Sequence, residues 1–184
     1  LWNIGQNAFK DCSSLTELLL PNSVRRIEDN AFYGCTNLVN FYIPDSVRYI
    51  GAGAFADCSS LTGIVIPQGV REIGASSFNH CSSLTAIVIP NSVERIDEGA
   101  FSGCSNLREI VIQEGMKEVE IRRHAFAFCE NLTSVSIPAN VTQIDERSKV
   151  EIRMGVPNGI RQNIFEECNN LKNICVVKDS YAEE

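Results

Sequence analysis

Hydrophobic and polar positions alternate in short bursts along this chain, and the bursts return at a fixed interval. Segments such as Leu15-Thr16-Glu17-Leu18-Leu19-Leu20 and Leu61-Thr62-Gly63-Ile64-Val65-Ile66 combine alternation in and out with β-branched residues, which predicts one short strand per unit. Pro21, Pro44, Pro67, Pro90 and Pro138 close these segments. Proline brings no N–H to a ladder, so pairing is expected to stop along one line. Val24-x-x-Ile27 and its copies predict a second short extended stretch. Gly5-x-x-Ala8-Phe9-x-x-Cys12 and its copies are read as one tight helical or 3-10 turn, with the Phe filling the space between two layers.

The interval decides the architecture. Phe9, Phe32, Phe55, Phe78 and Phe101 follow one another at a strict step of 23 residues. A unit of that length cannot bury its own apolar face, so neighbours must stack into a solenoid. The column Cys12, Cys35, Cys58, Cys81, Cys104 keeps the same step, and Cys129 and Cys168 follow after 25 and 39 residues. Repeat six therefore carries two extra residues and repeat seven sixteen. We read residues 1–184 as a single solenoid domain of about seven repeats, with an insertion at 144–159 and a degraded last unit. The chain opens on half a repeat without Met, so it is expected to be part of a longer protein. The 44% hydrophobic content and 184-residue length suffice for one continuous core.

These columns carry a resemblance. Cys-x-x-Leu-x-x-Ile-x-Ile-Pro-x-x-Val-x-x-Ile-x-x-x-Ala-Phe resembles the BspA-type, or Treponema pallidum-type, leucine-rich repeat. It departs at Gln113 in the Pro column, at the two insertions and in the final unit. The resemblance implies an α/β fold: a right-handed leucine-rich-repeat horseshoe with a parallel concave β-sheet. Short turns, 3-10 helices and short extended segments would form its other faces. It further implies surface-exposed or secreted proteins linked to adhesion and to binding host matrix proteins. A fold resemblance does not name a ligand.

Charge and residue chemistry narrow the function. A net charge of −7 argues against a sequence-independent grip on nucleic acid, which needs clustered Lys and Arg. No apolar run approaches the roughly 20 residues that span a bilayer, so this segment is not expected to insert in a membrane. Seven of the eight cysteines share one column. In-register Cβ vectors stay about 4.8 Å apart, whereas a disulfide wants about 3.8 Å. A row also cannot converge on zinc, so no metal or other cofactor is expected. The seven are read as buried free thiols, and Cys175, in an outward column, as the one readily labelled thiol. His80 and His124 occupy different columns in units that are not adjacent. No nucleophile, base and orienting group can be assembled from them, and no enzyme is expected.

Specificity should then reside where the repeat varies and faces outward. Leu19, Tyr42, Val65, Val88, Val111, Ser136 and Cys175 form one outward column, beside Glu17, Asn40, Gly63, Ala86, Glu109, Ser134 and Asn173. A third column runs through Thr16, Val39, Thr62, Thr85, Arg108, Thr133 and Lys172. Five successive apolar residues facing solvent would mark a binding stripe. Against that, β-branched residues are what exposed strand positions prefer anyway. Leu19, Asn40, Tyr42, Val65, Val88, Arg108, Glu109 and Val111 are the candidate contacts, with Tyr42 and Arg108 as anchors. A second candidate is the insertion, where Arg147, Lys149, Arg153 and Arg161 are basic on an acidic protein, near Arg122 and Arg123 of repeat six. Its residues 150–159 suggest a hairpin or an extra edge strand. The sequence reading is thus a non-catalytic module that recognises another protein, such as a host matrix or plasma protein. The alternatives are a spacer within a larger protein, or self-association through uncapped ends.

Overall fold

A repeat of this kind must turn back on itself and hand its backbone groups to the next copy. The computed structural model describes residues 2–115, 118–138, 141–144 and 164–177. Thirteen strands form among them: β1 (Asn3–Ile4), β2 (Arg26–Ile27), β3 (Asn40–Tyr42), β4 (Tyr49–Ile50), β5 (Gly63–Val65), β6 (Glu72–Ile73), β7 (Ala86–Ile89), β8 (Arg95–Ile96), β9 (Glu109–Ile112), β10 (Val119–Ile121), β11 (Ser134–Pro138), β12 (Val141–Ile144) and β13 (Asn173–Val177). All their pairings are parallel. The result is a parallel-sheet β-solenoid.

The second extended stretch builds the more continuous sheet, seven strands in the order β1-β2-β4-β6-β8-β10-β12. The strand face divides into β3-β5 and β7-β9-β11-β13, and Leu15–Leu20 joins neither. The break between β5 and β7 falls beside Gly63, whose lack of a side chain weakens a strand. Prolines link the two faces as well as ending a strand. Val24, Val47, Val70 and Val93 each donate their N–H to the carbonyl of the proline three residues earlier, at 2.9–3.1 Å. Pro138 departs from this, lying inside β11 opposite Val177.

Both irregular repeats keep their rungs. The two extra residues of repeat six fall between Ile112, which pairs with Ile89, and Glu120, which pairs with Arg95; where β10 meets β12 the register shifts between Val119 and Glu120, passing over Thr142. Across the longer step, β11 and β13 pair directly from Ser134↔Asn173 to Pro138↔Val177. The hairpin or extra strand expected beyond Ile144 lies outside the described residues.

The expected helical turn is a different structure: among the described residues there is no α- or 3-10 helix. Left-handed residues recur four apart in each turn, at Asn7 and Asp11, Asn30 and Gly34, Gly53 and Asp57, Ser76 and His80, Gly99 and Gly103, and His124 and Phe128. A helix needs an unbroken right-handed run, and a residue of opposite hand ends it. The alternation instead aims every second N–H at the next rung. Asn30, Phe32 and Gly34 each donate to Ala52, Ala54 and Ala56 at 2.8 Å, while Ala31, Tyr33 and Cys35 close turns within their own unit. Asn, Asp and Gly tolerate this conformation best.

The core is a column. Phe9, Phe32, Phe55, Phe78, Phe101, Phe126 and Phe165 stack with centroids 5.1–5.7 Å apart and planes within 14°. Beside the rings, each thiol of Cys35, Cys58, Cys81, Cys104, Cys129 and Cys168 donates its S–H to the carbonyl of the preceding unit's Phe, at 3.1–3.4 Å. These six are buried, as expected for the column, but they act as donors as well as apolar filler. The expectation of a single accessible thiol is corrected, because Cys12 is exposed together with Cys175. Cys12 lies in the first turn, and among the described residues its sulfur makes no hydrogen bond to a Phe carbonyl.

Candidate binding surface

The outward strand columns form as the alternation requires. Tyr42 faces Val65 across β3 and β5, and Val88, Val111, Ser136 and Cys175 run in register across β7, β9, β11 and β13. Leu19 is 87% exposed, Val65 72%, Tyr42 51% and Val88 49%, whereas Val111 is half-buried. Directly beneath them Phe41, Ile64, Ile87 and Ile110 point into the core. The stripe is therefore bonded to a rigid layer.

The neighbouring column gives it relief. Asn40 pairs with Gly63, and Ala86 with Glu109, so two small residues lie between longer ones. An open depression of about 590 Å³ follows, bordered by Leu19, Asn40, Tyr42, Gly63, Val65 and Ala86. Arg108 and Glu109 are exposed on the same face but lie one rung beyond it. The structure thus brings together Leu19, Asn40, Tyr42 and Val65, and sets Val88, Arg108, Glu109 and Val111 apart as an extension. In the third column, backbone N–H groups of Val39, Thr62, Arg108, Thr133 and Lys172 bond to the preceding rung. The hydroxyl of Thr133 adds a bond to the Arg108 carbonyl at 3.1 Å.

Arg147, Lys149, Arg153 and Arg161 lie outside the described residues. Their expected neighbour Arg122 does not extend a basic patch, because its guanidinium binds Asp97 at 2.9 Å and Glu120 at 3.0 Å. It belongs to an ionic ladder on the outer face of the seven-stranded sheet. There Arg26 binds Glu28 at 2.8 Å and lies 4.0 Å from the centre of the Tyr49 ring. Arg95 pairs with Glu72 and, at 3.6 Å, with Asp97. Hydrogen bonds to Glu28, Glu72 and Glu120 raise the pKa of Arg26, Arg95 and Arg122 respectively.

The histidines are separately engaged: His80 Nδ1 lies 3.3 Å from Asp57 Oδ1, and His124 Nε2 lies 3.0 Å from Glu166 Oε2. Among the described residues no three His, Cys, Asp or Glu side chains converge in a way that could hold a metal ion. Among the described residues there is no helix long and apolar enough to cross a membrane. One feature escaped sequence reasoning, a row formed by Arg25, Arg48 and Arg71. The signal was present in the position after Val24, Val47 and Val70 of the Val column.

A stacked parallel solenoid with an open, variable strand face belongs to the leucine-rich-repeat class. The model of the BspA type leucine rich repeat region matches residues 2–120, 26–148 and 119–181, in six copies, and the chain belongs to that family. Among solved structures, a leucine-rich repeat protein of Treponema pallidum superposes with a TM-score of 0.72 at 33% identity, over 89% of this chain and 71% of the other. A leucine-rich cell surface protein from Faecalibacterium prausnitzii gives 0.55 at 28% identity, and this chain covers 33% of its length against 90% of its own. The pneumococcal vaccine antigen PcpA shares the fold at 15% identity, with a TM-score of 0.62 over 89% of this chain and 42% of that one. No curated protein matches the sequence.

Proposed function

We propose that this chain is a non-catalytic recognition module of a cell-surface or secreted protein, binding a protein ligand through the strand face. One observation carries the proposal: the large side chains of Leu19, Tyr42 and Val65 stand in solvent around an open depression, Tyr42 and Val65 in register. Apolar side chains grouped in this way are the usual mark of an interface. Tyr42 offers an aromatic anchor with a polar tip, of the kind that dominates interface energetics. The strand face is the surface expected to be concave, so it would wrap a partner. The cell-surface description of the Faecalibacterium relative supports the location, and the family resemblance directs the search toward host matrix and plasma proteins.

The test is saturable binding of the immobilised chain to a panel of such proteins, with Tyr42→Ala/Val65→Glu alongside. Both positions are exposed, so the double variant is expected to keep its unfolding midpoint and to lose at least about tenfold in affinity. Unchanged affinity in the variant would remove the strand face from consideration. Absence of binding by either form would favour a spacer. Self-association is a second reading, favoured by Trp2 at 73% exposure and by Phe9, Leu15, Leu18 and Leu20, which are only partly buried. Sedimentation velocity over a concentration series decides it.

A further inference from the structure

The ionic ladder on the seven-stranded sheet neutralises most of its own charge, and the adjoining column does not. Arg25, Arg48 and Arg71 are exposed and follow one another on successive rungs. Arg48 donates its backbone N–H to the carbonyl of Arg25 at 2.8 Å, and Arg71 donates to Arg48 at 3.4 Å. Arg25 Nη1 bonds to the Ser46 carbonyl at 3.2 Å; Arg48 Nη1 bonds to the carbonyls of Asp45 and Val47 at 2.6 and 2.9 Å. Those bonds fix the two side chains without cancelling their charge. Among the described residues neither has a carboxylate partner, and Arg71 is only loosely tied, its Nε 3.9 Å from Glu94 Oε1. The bare backbone at Gly69 leaves space that the end of the Arg48 side chain occupies. Ser46 and Ser92 fill the equivalent position in the neighbouring units.

Arg48 and Arg71 line a second open depression, of about 420 Å³, together with Gln68, Asn91, Ser92 and Glu94, and Arg25 stands one rung before it. We propose that Arg25, Arg48 and Arg71 form a binding site for a linear anionic polysaccharide that carries one sulfate or carboxylate on successive sugars. Rungs of a parallel sheet repeat at about 4.8 Å, close to the length of one pyranose unit, so a polymer crossing the rungs meets one guanidinium per sugar. Each planar fork can take an anion bidentately. Neutral partners for sugar hydroxyls come from the Asn91 amide and, as acceptors, from the Gln68 Oε1 and the Ser92 hydroxyl, whose own donors bond to Gln113 Oε1 and to the Val70 carbonyl at 3.2 and 2.8 Å. An acidic peptide fits less well, because same-face side chains of an extended strand lie about 6.6 Å apart. Single-stranded nucleic acid would need aromatic platforms for its bases, and none lines the depression.

The experiment titrates the whole chain with a heparin-derived octasaccharide and with an oligogalacturonate octamer at physiological salt. Neutral dextran and an oligothymidylate serve as comparisons. Saturable binding to at least one charged sugar is expected, and the tighter of the two identifies sulfate or carboxylate. Arg25→Ala/Arg48→Ala/Arg71→Ala should weaken binding at least about tenfold and flatten its dependence on salt, since fewer counterions are released. The corresponding triple Lys variant should fall between, because it keeps the charge and loses the fork. Glu94→Arg extends the row to a fourth rung and should tighten binding severalfold, a gain that misfolding cannot produce. Tyr42→Ala/Val65→Glu should bind sugar as the parent does, which separates this site from the strand face. The proposal is overturned if neither charged sugar binds, if the triple Ala variant binds as tightly as the parent, or if oligothymidylate binds as tightly as the sugars.

Discussion

Ser77 stands in a column that reads Ala8, Ala31, Ala54, Ala100 and Ala125 and ends on Ile164. Its side chain is fully buried, and its hydroxyl has no hydrogen-bond partner. A buried hydroxyl without a partner forfeits its bonds to water, so Ser77→Ala should stabilise the chain by about 1 kcal/mol. Urea unfolding with an unchanged m-value would register this as a higher midpoint. A lower midpoint would mean that the hydroxyl contributes to the folded state after all. Thiol accessibility gives a second test at this scale. Cys12 and Cys175 should react promptly with a disulfide reagent in the native state, and Cys35, Cys58, Cys81, Cys104, Cys129 and Cys168 only on unfolding. Reaction of a single thiol would mean that the first turn is covered. The outward position of Cys175 was legible from the strand's period of two. The exposure of Cys12 was not, because the column was read as uniform when a thiol of this kind is enclosed by the rung before it.

The repeating elements owe their stability to stacking across units, and their vulnerability should depend on position. Phe78 is fully buried, with a ring neighbour on each side at 5.3 and 5.1 Å. Phe9 is only partly buried and has one such neighbour, at 5.1 Å. Phe78→Ala should therefore cost about 3–5 kcal/mol and Phe9→Ala less than half of that. Equal losses in denaturant titrations would contradict a spine built by nearest-neighbour contacts. The Phe column and both extended stretches were legible in the sequence, because burial imposes a visible period. The turn was not, because its defining feature is backbone hand, and hydrophobicity does not record hand. The available signal was the recurrence of Asn, Asp and Gly at positions such as Asn7, Asp11, Asn30, Gly34, Gly53 and Asp57. Phe128 and Glu167 adopt the same left-handed conformation and would have hidden that signal in the last units. The break in the strand face beside Gly63 was likewise visible only as a small residue, and the arginine row was not legible from hydrophobicity because exposed positions carry no hydrophobic period.

Across the whole molecule the thiol ladder couples folding to alkaline pH. Burial pushes the Cys35 thiol from its ordinary value of 9.0 up to about 11, and those of Cys58 and Cys104 up to about 12. Cys81 is held well above its ordinary value for the same reason. Each deprotonation would also remove the S–H donated to the carbonyl of the preceding unit's Phe. Above pH 9 the unfolded chain releases these protons while the folded chain keeps them, so folding binds protons and stability falls as pH rises. The contribution is complete below pH 9 and is lost progressively toward pH 11 to 12, by up to about 1.4 kcal/mol per unit for each thiol. Tyrosine and lysine titrate in the same window, so the decisive quantity is the difference between two chains. Cys58→Ala should be the less stable protein at pH 8, because it loses packing and a hydrogen bond. Its disadvantage should shrink steadily between pH 9 and pH 10.5, since the variant has one fewer buried proton to surrender. Guanidinium unfolding of both proteins at half-unit steps measures that gap. A gap independent of pH would show that Cys58 opens to solvent before it ionises, and that the column is looser than its carbonyl contacts require.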